Sequence, residues 1–125
     1  MTEDYAFLMP LGCLFVRDVI GHTPIAFLVG KPDEWTGRLA VVVEALRRHC
    51  IRFEFVDHIE GQSDATVAQN VRHHTAALPD LDENEWLMLN DADLWMLRRE
   101  FYHLHEGIQG KLVVLYSNGD HFKSK

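Results

Sequence analysis

The chain has 125 residues, 47% of them apolar and 25% charged, which excludes disordered and fibrous classes and suits one domain with a real core. The formal net charge is −7, and the densest basic points, Arg47-Arg48 and Arg98-Arg99, are offset by nearby acids. Phosphate-backbone binding needs a concentrated positive surface, so no nucleic-acid partner is expected.

The opening Met1-Thr2-Glu3-Asp4 is acidic and only a short apolar stretch follows, unlike an ordinary signal peptide. No apolar run approaches the ~18 residues of a membrane span. Cys13 and Cys50 sit in apolar periodic segments and read as two buried free thiols in a reducing, cytoplasmic compartment. Ala6-Phe7-Leu8-Met9, stopped by Pro10, reads as a short buried strand. Residues 11–20 follow as a helix, with Leu11, Leu14, Phe15 and Val19 near one face and Gly21 at its C-terminus. Residues 24–29 form a second buried strand, ended by Gly30-Lys31-Pro32-Asp33.

Asp33 then caps a helix over residues 34–49, whose stripe of Leu39, Val42, Val43 and Leu46 stands at i, i+3, i+4 and i+7. Residues 51–56 alternate apolar and polar, as expected of an edge or near-edge strand. After the loop Gly61-Gln62-Ser63, Ser63 or Asp64 caps a helix reaching about Leu78, with Val67, Val71, His74 and Leu78 as its seam. An acidic turn over 79–85 leads to Trp86-Leu87-Met88-Leu89, an unbroken apolar run expected as a central strand covered on both faces. Residues 97–106 read as a helix ended by Gly107, and 111–116 as a last buried strand. The polar tail from about residue 117 is expected to be mobile.

Strands alternating with helices over residues 1–125 predict a single α/β domain. The expected form is a three-layer αβα sandwich on a mostly parallel, Rossmann-like sheet. Ligands of such sheets sit outside the carboxyl ends of the strands. The strongest chemical signal in those loops is Asp91-Ala92-Asp93, directly after the 86–89 run. Two carboxylates aimed at one place repel each other unless a cation joins them. Magnesium or manganese does so with oxygen ligands and keeps positions open for phosphate. Taken alone, the same acids also serve to start a loop or cap the next helix.

The stretch Asp91-Ala92-Asp93-Leu94-Trp95-Met96-Leu97 resembles the Asp-x-Asp signature of GT-A fold glycosyltransferases, with Met96 where a proline is common. The family often carries Gln-x-x-Arg on a helix before the acidic strand, and here Gln69-Asn70-Val71-Arg72 stands in that place. The segment from Gly21 to Gly30 is similar to the opening of the family's nucleotide-binding half. The resemblance implies a metal-dependent glycosyltransferase domain that binds a nucleoside-diphosphate sugar with Mn2+ or Mg2+. It implies Asp93 as a metal ligand, with Asp91 contacting the ribose or sharing the metal. Arg72 and Gln69 would lie toward the phosphates or sugar, and Pro10 and Gly30 would border the base.

The resemblance covers only the first half of the family's domain. The chain by itself is therefore expected to bind donor and to transfer sugar poorly, with an exposed edge that favours a homo-oligomer. Two alternatives stand beside the enzyme. One is a non-catalytic nucleotide-sugar-binding module, or a partial transferase completed by a partner chain. The other is a phosphatase of the haloacid dehalogenase type, which also uses Asp-x-Asp. That type places the pair after its first strand, with a small or β-branched residue where Trp95 stands here.

The remaining candidates are weaker in chemistry. Asp120, in the turn Ser117-Asn118-Gly119-Asp120, is a candidate catalytic base, and His121 a candidate late metal ligand. The adjacent His73 and His74, and the pair His103 and His105, point apart and cannot close on one zinc ion. Trp35, Trp86 and Trp95 read as core or helix-packing aromatics.

Overall fold

The computed structural model describes residues 3–71, 73, 78–82 and 87–89. All belong to the first of two units into which the chain divides, Met1–Trp95. Among the described residues, four α-helices, α1 (Glu3–Ala6), α2 (Met9–Phe15), α3 (Ala40–Arg48) and α4 (Asp64–Val71), accompany two strands, β1 (Ile25–Val29) and β2 (Arg52–Val56). The class is mixed α/β, and among the described residues the sheet has two strands.

β1 and β2 run parallel, with Ile25 opposite Arg52 and Val29 opposite Val56. Parallel strands need a long crossover, and α3 supplies it here. The expected apolar stripe holds: Val42, Val43 and Leu46 are buried, and Leu39 packs against them. The helix starts later than Asp33 suggests. Pro32–Glu34 and Gly37–Leu39 are separate 3-10 turns, and Thr36 between them is extended. Gly37 adopts φ +56, a conformation outside the helical region, so a continuous helix cannot run through it.

At the N-terminus the expected strand over residues 6–9 is absent. Ala6 closes α1 and Met9 opens α2, with Pro10 in its first turn. Proline fits there because its missing N–H would have no partner at a helix start. Pro10 is thus a helix starter, and no strand-end loop stands at that point. α2 continues into a wider π-helical turn, Val16–Ile20, which Gly21 ends at φ +86, as its lack of a side chain allows.

The core collects Ala26 and Leu28 from β1, Val42, Val43 and Leu46 from α3, Cys13 from α2, and Ile51 and Trp35. Burial pushes the Cys13 thiol up to about 11, so it behaves as an inert apolar group. Cys50 departs from its expected burial: it is exposed and has φ +53, in the sharp turn between α3 and β2. Its apolar neighbours in sequence do not bury it because that left-handed turn carries it outward.

Ser63 caps α4, its Oγ accepting the Thr66 backbone N–H at 3.2 Å. Val67, on the expected seam, is buried, while Gln69 is exposed. α4 is described as far as Val71, and Leu78, its expected end, lies outside regular structure. Arg52 of β2 reaches Asp80 with a two-pronged ion pair, Nη1–Oδ2 2.6 Å and Nη2–Oδ1 3.0 Å. This fastens the 78–82 segment to the start of the strand.

The run expected as a central strand is not one among the described residues. Leu87, Met88 and Leu89 carry no strand pairing and are 36%, 44% and 42% exposed. Four consecutive apolar residues specify a wish for burial, but a strand also needs a backbone partner, and here none is described. Trp86 and the expected elements at 97–106 and 111–116 lie outside the described residues.

Candidate functional site

A cleft of about 240 Å3 opens at the carboxyl end of β1, bordered by Val29, Trp35 and Leu39 on its apolar side. Glu34, His58 and Asp64 supply its polar side. The position is the one that open α/β sheets reserve for ligands. The cleft is smaller than the ~300–1,000 Å3 of usual small-molecule pockets. It therefore suits one part of a ligand, such as a ring, better than a whole nucleotide sugar.

Each residue arrives by a local cause. β1 ends at Val29, and the next residue, Gly30, donates its N–H to the Val56 carbonyl at 2.8 Å and so extends the ladder by one bond. Gly30 has φ +113, and a Cβ built there would stand 3.0 Å from Glu34 Oε2 and 3.5 Å from both His58 Nε2 and Trp35 Nε1. Glycine is thus required twice, by the backbone angle and by the close approach of the polar cluster. The chain then turns back through Pro32–Glu34, which places Glu34 and Trp35 beside the strand end. Trp35 is buried, its indole N–H donates to the Val29 carbonyl at 3.1 Å, and its ring meets Phe55 edge to face. The expectation of a core aromatic holds for it, although one side of the ring also borders the cleft.

His58 lies just past β2 and stands between two carboxylates. Its Nε2 is 2.6 Å from Glu34 Oε2, and its Nδ1 is 2.7 Å from Asp64 Oδ1 at the start of α4. The other Glu34 oxygen accepts the Lys31 backbone N–H at 3.3 Å. Hydrogen bonding to Glu34, and then to Asp64, raises the His58 pKa above its ordinary 6.5. The reciprocal bond, helped by the Lys31 N–H, holds Glu34 below the usual carboxylate range. All three side chains are close to half exposed, so water screens these charges.

The cluster does not fit a chelating metal site. The two ring nitrogens of one imidazole point in opposite directions, so Glu34 and Asp64 lie on opposite sides of the ring and cannot share an ion with it. Among the described residues no group of three His, Cys, Asp or Glu side chains is placed to hold a metal.

Of the residues singled out by sequence, Gly30 lies against Glu34, Trp35 and His58, which line this cleft, and Gln69 is exposed on α4. Pro10 belongs to α2, as described above. Arg72, Asp91, Asp93, Asp120 and His121 lie outside the described residues. Sequence reasoning misses the Glu34–His58–Asp64 group, whose members are scattered along the chain. The available signal is positional: Asp33-Glu34 and Asp57-His58 each follow the carboxyl end of a strand within a few residues.

No protein-family model, curated protein or solved structure matches the chain. Among the described residues, no helix is long and apolar enough to cross a membrane.

Proposed function

We propose that this chain is the nucleotide-binding part of a metal-dependent glycosyltransferase, taking a nucleoside-diphosphate sugar as donor. The observation that carries the reading is the cleft at the carboxyl end of a parallel strand–helix–strand unit, with a close-approach glycine, Gly30, packed against three of the residues that line it, Glu34, Trp35 and His58. In this reading the sheet extends into a three-layer αβα sandwich. The base or ribose occupies the cleft, where the carboxylates of Glu34 and Asp64 accept hydrogen bonds from donor groups of the ligand.

Asp91 and Asp93 hold the Mn2+ or Mg2+, which neutralises the diphosphate against a chain of net charge −7. Arg72 and Gln69 approach the phosphates and the sugar, with the Arg72 guanidinium suited to paired bonds to phosphate oxygens. Self-association of two copies accompanies the reading.

Calorimetry of the full chain with uridine, guanosine, cytidine and adenosine diphosphates, with and without Mn2+, tests it. One of the four is expected to bind at least tenfold tighter with Mn2+, about 1.4 kcal/mol, and Asp93→Ala is expected to abolish that gain. No binding by any of them, or an unchanged metal effect in the variant, overturns the reading.

A further inference from the structure

The Glu34–His58–Asp64 group has a property that does not depend on what the cleft binds. It joins three separate pieces of chain: the turn after β1, the segment after β2, and the N-terminus of α4. Glu34 and Asp64, as carboxylates, only accept hydrogen bonds. Two bonds of 2.6 and 2.7 Å to one ring therefore need a proton on both nitrogens, and only the imidazolium has that. A neutral imidazole carries one N–H. It must leave one carboxylate facing a ring lone pair, which repels it.

We propose that His58 is a protonation-operated clamp: charged, it ties the Pro32–Glu34 turn and the start of α4 together along the polar side of the cleft, and neutral, it releases one of them. The charged groups facing the ring are Glu34 from the turn and Asp64 from α4, and Asp57 and Glu60 flank it on its own segment. Lys31 adds its backbone N–H to Glu34, which keeps that carboxylate aimed at the ring. Because the folded-state pKa is raised above 6.5, the clamp is fully closed below that value and opens as pH rises through the higher folded value. The opening thus falls above pH 6.5.

Backbone amide exchange of the full chain tests this, corrected for its intrinsic pH dependence, while nitrogen chemical shifts follow His58 itself. In the wild type, protection at residues 33–35 or 64–67 is expected to fall at least fivefold across the His58 titration. His58→Gln is expected to show low protection at every pH and no step. Asp64→Asn removes the step in the opposite sense. The introduced carboxamide accepts from the imidazolium and donates to the neutral ring, so protection stays high throughout. Flat wild-type protection across the titration, or the same step in either variant, overturns the proposal. Should His58→Gln fail to fold, Asp64→Asn decides alone.

Discussion

Leu28→Ala is expected to destabilise the folded chain by about 3 kcal/mol, the middle of the range for emptying a buried leucine site. Leu28 is 0% exposed in β1, one residue before its end, and shares a core with the buried residues of α3. Its removal loses the transfer free energy of the side chain and leaves a cavity. Collapse into that cavity is resisted because Ala26 and Val29 are fixed on either side by pairing with Phe53 and Val56. For a chain of this size the loss corresponds to a fall of about 10 °C in Tm. Val41→Ala is the control: Val41 lies on the outer side of α3 at 58% exposure, and its change is expected within about 0.5 kcal/mol. Paired denaturant titrations check both. A Leu28→Ala loss no larger than that of Val41→Ala would mean the core is not centred on β1.

Gly30→Ala is expected to cost about 2 kcal/mol and to disturb the cleft at the same time. The first effect comes from the backbone, since φ +113 is a region that residues with a side chain adopt only under strain. The second comes from contact. The new methyl would lie 3.0 Å from Glu34 Oε2, and that oxygen can retreat only by leaving His58. The variant should therefore lower the His58 pKa toward its ordinary value as well as the denaturation midpoint. Histidine chemical shifts and a denaturant titration read the two effects separately. Wild-type values for both would remove Gly30 from the site.

The elements with a strong local signature were legible in advance. β1 is an apolar run ended by a glycine, α3 carries the stripe of Val42, Val43 and Leu46, Gly21 ends a helix, and Ser63 caps one. Residues 6–9 misled because Ala, Leu and Met form helices at least as readily as strands, and a proline stops one element as easily as it starts the next. Leu87–Met88–Leu89 misled for another reason: strand pairing is a property of two segments, and one run cannot declare its partner. For the site, the rule that ligands gather at strand carboxyl ends pointed to the end of β1 where Gly30 stands and where the cleft opens. It did not single out Glu34, His58 and Asp64. Their meeting depends on the turn at Pro32–Glu34 and on where α4 begins, which are matters of packing.

The parallel register has a kinetic consequence. Ile25 and Arg52 cannot come into register until roughly 27 residues have been closed into a loop, at an entropic cost of about 3 kcal/mol. Nothing within the strands offsets that cost, because neither contains a local hairpin. α3 does, since its turns form from near neighbours and its Val42, Val43 and Leu46 then join the same core as Leu28. β1, α3 and β2 are thus expected to assemble as one cooperative step. The cleft comes into being only at the end of that step, when Gly30 and His58 have been carried to the same edge.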